Sequence, residues 1–215
     1  MERVMRRANI VLVAVMIAVA LVVLANAMAT TPADAATRAT KVVTKTFSSN
    51  QPITIPSAGS SGAATPYPSE RNVQGFDQGI VLDVNLTLKN YSHTFPDDVD
   101  VLLSKKGKTR TVMSDVGFNT PANNITLKLD DESPNGPLLD NGPLVGGSFR
   151  PNNEDGVDSF PAPTPTPSAQ SALSGFDGIN PNGTWKLRVV DDVPSVDGGQ
   201  FAGGWSITIK ARVQQ

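Results

Sequence analysis

The chain has 215 residues, a formal net charge of −2 and no cysteine. Its Lys and Arg residues are scattered, so it lacks the clustered basic surface by which proteins bind DNA or RNA, and we expect no nucleic-acid partner. The lack of cysteine excludes disulfides, a lipoprotein-type anchor and a cysteine nucleophile.

The amino-terminal segment has the layout of an export signal. A positively charged start precedes an apolar run at 10–24 and small residues at 25–29. This order is typical of a secretory signal peptide and predicts a mature protein that starts between Met28 and Thr37. The apolar run is shorter than the roughly 20 residues of a membrane-spanning helix, so an uncleaved anchor helix is the second interpretation. We therefore expect residues 1–29 to be a signal peptide or anchor and the protein to be secreted or held at the cell surface, with membrane contact only through an uncleaved signal.

Residues 30–46 are rich in Thr and Ala and are predicted to be a spacer. Beyond them, short segments alternate apolar and polar residues with the period of two that is typical of strands with one buried face. The predicted strands lie near 41–47, 53–55, 79–89, 100–104, 110–114, 125–129, 184–190 and 205–211. About eight short strands separated by turn residues predict an all-β fold, a jelly-roll-like antiparallel sandwich.

A proline-rich segment at 160–167 interrupts this pattern. Alternating prolines favour polyproline II structure and are typical of a linker between domains. The two strands that follow cannot bury their apolar faces alone, because a two-stranded hairpin is marginally stable in water. We therefore predict one domain at 47–212 with an extended surface loop at 134–174. We interpret this loop as a variable insertion, with a role in recognition as the alternative.

The segment from Asn182 to Lys210 carries the clearest strand pair. Trp185 and Trp205 each begin a run in which apolar residues alternate with polar ones, and a loop with Asp197 separates the two runs. This alternation predicts two half-buried strands with both tryptophans in the core. Exposed tryptophans would instead indicate a carbohydrate-binding surface.

The order of these motifs resembles the P/Homo B domain, the β-sandwich that follows the subtilisin-like protease domain in proprotein convertases. The resemblance covers about 47–212: a long strand that ends at His93 and Phe95, a strand from Asp98 that leads to the turn at Lys106, and the tryptophan hairpin. It implies a non-catalytic binding or stabilising module, whose partner is a protease or another extracellular protein. The extended loop departs from the family pattern, and the chain has no protease domain.

We expect no enzymatic activity. His93 is the only histidine, and the sequence contexts of a subtilisin-type catalytic triad are absent. Adjacent acids, such as Asp191 and Asp192, point to opposite faces when they lie in a strand. The alternative functions are a carbohydrate-binding or adhesive module of the cell envelope and, less favoured, a hydrolase that uses His93 or an acid pair.

Sixteen Asp against four Glu is an uneven use of acids. Asp caps turns through its side chain, which accounts for many of these residues, but clustered Asp residues in loops also bind calcium. Four groups are candidates: Asp97, Asp98 and Asp100; Asp130 and Asp131; Asp155 and Asp158; and Asp191, Asp192 and Asp197. The family resemblance makes Asp98, Asp191 and Asp197 the leading calcium ligands, with Asp100, Asp130, Asp131 and Asp192 as further candidates.

Overall fold

A computed structural model describes residues 38–56, 61–194 and 198–215. The predicted export segment at 1–29 and the candidate ligand Asp197 lie outside these residues. Within the described ranges, no helix has the length and apolar character needed to cross a bilayer.

The described residues form strands and two short 3₁₀ turns, at Pro96–Asp98 and Leu173–Phe176. The predicted all-β fold is therefore confirmed, and every predicted strand is present. The strands are β1 (Thr40–Ser49), β2 (Ile53–Ile55), β3 (Gly62–Ala63), β4 (Ser69–Val73), β5 (Ile80–His93), β6 (Val99–Lys105), β7 (Lys108–Ser114), β8 (Ala122–Leu129), β9 (Gly147–Phe149), β10 (Asn152–Asn153), β11 (Gly183–Asp191), β12 (Gly199–Phe201) and β13 (Trp205–Gln214).

These strands build two sheets. In the first sheet the order is β1-β13-β5-β12-β2, with β8 paired to β5 and β9 to β8. In the second sheet it is β10-β7-β6-β11-β3, with β4 paired to β11. The strand pairs are antiparallel except β8 with β9 and β10 with β7. Residues 40–46, predicted as spacer, belong to β1, which pairs along its length with β13.

One hydrophobic core draws on the inner faces of both sheets. Trp185 from the second sheet and Trp205 from the first are both 0% exposed, as predicted from their place in the alternation. Each indole N–H has a partner, since Trp185 donates to the Pro181 carbonyl and Trp205 to the Ser69 hydroxyl, both at 2.9 Å. The tryptophans therefore pack in the interior with their polar atoms satisfied.

The centre of the outer face of the second sheet is also buried, while Lys186 on the same face is partly exposed. Leu102, Ser104, Arg188 and Val190 on this face are at most 3% exposed, although they lie outside the core cluster. Residues 160–169, which we call the strap, cross this face and accept hydrogen bonds from it. The proline-rich segment therefore lies on the sandwich and covers one of its sheets.

Candidate metal centre

Three carboxylates meet at one end of the second sheet. Asp100 lies near the start of β6, Asp115 directly follows β7, and Asp158 lies in the loop after β10. One carboxylate oxygen of each lies within 4.8 Å of the corresponding oxygens of the other two. We call these three residues the Asp cluster.

The hairpin of β6 and β7 brings two of the three together. Its turn residues, Lys106 and Gly107, have φ angles of 48° and 81°, as a tight two-residue hairpin turn requires. A bulge then shifts the pairing by one residue beside Val101, which pairs with Met113. This shift places Asp100 opposite the end of β7, and β10, parallel to β7, leads the chain toward Asp158.

The hydrogen bonds of the cluster are incomplete. Asp100 is 1% exposed, its Oδ1 accepts a bond of 2.7 Å from the Ser114 hydroxyl, and its Oδ2 is buried without a partner. The same hydroxyl lies 3.0 Å from Asp115 Oδ2, but it has one proton and can donate to one carboxylate at a time. Asp158 Oδ2 is also buried without a partner. The cluster therefore has more buried acceptors than donors.

Electrostatics disfavour three free carboxylates at this place. Burial raises the pKa of Asp100 to about 8 and that of Asp115 to about 6, against the opposing effect of the Ser114 hydrogen bond. Burial also raises the pKa of Asp158. Neighbouring carboxylates add to all three shifts. None of the three forms an ion pair with Lys or Arg within the described ranges, so a bound proton or a cation would stabilise this arrangement.

The predicted ligand Asp191 lies on the other side of the sheet. Its Oδ2 is 3.5 Å from His93 Nε2, and both side chains are fully buried. His93 Nδ1 lies 2.8 Å from the Phe95 carbonyl oxygen and 3.2 Å from the Phe95 backbone nitrogen. The predicted ligand Asp98 lies in the first 3₁₀ turn at 7% exposure. Neither residue belongs to the Asp cluster.

Asp192 is exposed and lies close to the cluster. It contributes to the raised pKa values of all three cluster residues. Asp192 directly follows the last residue of β11 and does not belong to the Asp cluster. It is therefore a nearby negative charge that disfavours the charged forms of the cluster residues.

The candidate ligands Asp130 and Asp131 lie elsewhere and have other partners. Asp130 Oδ2 is 2.6 Å from Lys128 Nζ. The Asp131 carboxylate accepts the backbone N–H groups of Leu173 at 2.9 Å and Ser174 at 2.8 Å, so it holds the second 3₁₀ turn. Both carboxylates are thus satisfied by protein donors.

The two tryptophans, Tyr91 and His93 are not exposed. His93 is 2% exposed, and Trp185, Trp205 and Tyr91 are all 0% exposed. Tyr67 is half-buried, and its hydroxyl bonds to the strap. A carbohydrate-binding surface built on tryptophan is therefore not available, and that alternative needs other aromatic side chains, such as Tyr67 or the exposed Phe118.

Comparisons of the chain with protein-family models, with curated proteins and with solved structures find no match. The resemblance to the P/Homo B domain remains a prediction that rests on the order of the sequence motifs. The geometry of the Asp cluster stands independently of it.

Proposed function

We propose that this chain is an exported, non-catalytic β-sandwich module of the P/Homo B kind, and that a calcium ion held by Asp100, Asp115 and Asp158 stabilises its fold. The observation that carries the proposal is the buried, unpartnered oxygen of Asp100 beside two further carboxylates. A buried acceptor of this kind is costly unless a donor or a cation satisfies it.

The spacing of the cluster suits one shared ion. Two oxygens that bind the same calcium ion at about 2.4 Å lie at most about 4.8 Å apart. The three cluster oxygens lie within 4.8 Å of one another. Asp115 and Asp158 are in loops, and loop ligands suit the flexible coordination of calcium. The Ser114 hydroxyl, which lies 2.7 Å from Asp100 Oδ1 and 3.0 Å from Asp115 Oδ2, is near enough to contribute a further oxygen.

The donor set argues against zinc. Structural zinc sites use Cys sulfur and His nitrogen. This chain has no cysteine and a single histidine, His93, which contacts Asp191 in the interior. A site built from carboxylate and hydroxyl oxygens favours a hard cation, calcium or magnesium.

The burial of His93 supports a non-catalytic role, because the one imidazole of the chain cannot reach a substrate as a general base. In this proposal the module binds or stabilises a protease or another extracellular protein, as the family resemblance implies. Secretion or attachment to the cell surface belongs to the same proposal and rests on the sequence at 1–29.

Isothermal titration of calcium into the metal-stripped chain at pH 8 tests the proposal. We expect saturable binding in the wild type and in Asp77→Asn, a matched control at an exposed Asp outside the cluster. Asp115→Asn and Asp158→Asn should each weaken binding at least about tenfold, because each removes a charged ligand. Equal calcium affinity in all four proteins would show that the cluster is not the site.

A further inference from the structure

Polar side chains beneath the strap donate to its main chain. On β7, the hydroxyl groups of Thr109 and Thr111 each donate a hydrogen bond of 2.9 Å, to the carbonyls of Thr166 and Ser168 respectively. Both threonines are buried, at 5% and 0% exposure. Both hydrogen bonds go to main-chain carbonyls of the strap, so they do not depend on its side chains.

A second set of contacts lies across the face, on β11 and in the loop before β4. Arg188 Nη2 donates to the Pro163 carbonyl at 2.9 Å, and its guanidinium carbon lies 5.9 Å from the centre of the Tyr67 ring. The Tyr67 hydroxyl donates to the Pro161 carbonyl at 3.0 Å. Arg188 Nε is buried without a partner, so the strap does not use every donor that this face offers.

This arrangement suits an extended proline-rich chain. The strap bends at residues 162–163, and its Pro161 carbonyl also accepts a hydrogen bond from the Thr164 hydroxyl. Each proline lacks an N–H that would need an acceptor, so a proline-rich segment offers more carbonyl acceptors than N–H donors. The face supplies what such a segment lacks: hydroxyl and guanidinium donors and an aromatic ring. Leu102 and Val190, both buried outside the core cluster, add apolar contact area on the same face.

We propose that the outer face of the second sheet is a binding surface for an extended, proline- and threonine-rich polypeptide supplied by a partner, and that the strap occupies this surface in cis. The proposal goes beyond the calcium-stabilised module and does not depend on the Asp cluster. A tethered segment has an effective concentration on the order of millimolar, so the strap competes with any partner peptide.

The test uses the full chain and a fluorescent synthetic peptide with the sequence of residues 159–170. In an open-strap variant, Pro161, Pro163, Pro165 and Pro167 are all replaced by Gly, which raises the entropic cost of strap docking and leaves the sheet unchanged. We expect fluorescence anisotropy to show peptide binding at least about tenfold tighter than in the wild type, because the competing strap is displaced. A peptide with Ser in place of every Pro keeps the carbonyls but is less preorganised, so it should bind more weakly.

Two matched changes locate the surface. Thr109→Val and Thr111→Val, introduced together into the open-strap variant, remove two donors at constant shape, and we expect peptide affinity to fall at least about tenfold. Pro134→Gly with Pro143→Gly replaces exposed prolines outside the strap and should bind peptide no better than the wild type does.

A folded open-strap variant that does not bind the peptide, or that binds the serine peptide equally well, would overturn the proposal. Circular dichroism and thermal denaturation establish whether this variant is folded. If it is not, the wild-type chain is examined by NMR with excess peptide. We then expect shifts of the Thr109 and Thr111 signals, and unchanged signals at both would overturn the proposal.

Discussion

At the scale of the residue, Asp100 makes the fold depend on what neutralises its charge. Its carboxylate is buried on a strand, where hydration is lost, and the Ser114 hydroxyl supplies one hydrogen bond for two oxygens. Neighbouring carboxylates disfavour its charged form further. A proton satisfies it at low pH and, in our account, calcium does so at neutral pH.

The raised pKa of Asp100 predicts how the stability of the metal-free protein depends on pH. The folded pKa of Asp100, about 8, exceeds the ordinary value of 3.8, so the folded state binds more protons than the unfolded state between these pH values. The stability that protonation of Asp100 contributes is fully present below pH 4 and is lost as the pH rises toward 8. We expect the melting temperature of the metal-stripped wild type to fall between pH 5 and pH 8.

Asp100→Asn is the matched test of that prediction. The amide has the shape of the carboxylate without its charge, and its NH₂ group can donate to the neighbouring carboxylates. We expect the variant to lose less stability than the wild type between pH 5 and pH 8. Parallel curves of melting temperature against pH for the two proteins would contradict the assignment of this effect to Asp100.

The buried tryptophans give a prediction about the core. Trp185→Ala and Trp205→Ala should each lower the free energy of unfolding by roughly 3–5 kcal/mol, because each leaves a large cavity and an unpartnered acceptor. Val157→Ala, at a side chain that is 65% exposed, should change stability by less than about 0.5 kcal/mol. Chemical denaturation measures all three, and a tryptophan variant as stable as the Val157 control would contradict the packing described.

At the scale of the element, turns and bulges set the strand register and therefore which side chains lie next to each other. The sequence predicts the strands β6 and β7 and the turn at Lys106 between them, but not the bulge that shifts Val101 into register with Met113. This one-residue shift sets which residue of β7 lies opposite Asp100. Pairing and alternation together place Asp191 on the opposite side of the sheet from Asp100, because Asp100 pairs with Val190.

The turn between β12 and β13 allows a matched glycine test. Gly204 has a φ angle of 65°, and an added Cβ would lie 2.1 Å from the Ser49 carbonyl oxygen, so Gly204→Ala forces the backbone apart. Gly107 has a φ angle of 81° but open space around it. We expect Gly204→Ala to cost more than about 2 kcal/mol of stability and Gly107→Ala about 1 kcal/mol. Equal losses in chemical denaturation would contradict the close approach at Gly204.

At the scale of the whole molecule, the centre of the second sheet is covered on both faces. The apolar run Val101, Leu102 and Leu103 contains a signal for this, since consecutive apolar residues indicate a strand buried on both sides. What covers the outer face is not readable from the sequence, because the strap is placed by contacts between residues far apart in the chain. The same limit hides the meeting of Asp158 with Asp100, two residues that the sequence places in different candidate groups, because the path of this long loop brings them together.

Thermal denaturation with calcium and with chelator tests the central claim most directly. An ion that binds only the folded state adds about 2.7 kcal/mol of stability at a hundredfold excess over its dissociation constant, or a rise of about 5–10 °C in melting temperature for a domain of this size. We predict this rise for the wild type and for Asp77→Asn, its reversal by chelator, and its loss in Asp115→Asn and Asp158→Asn. A metal-stripped wild type whose melting temperature does not change with calcium would contradict the account.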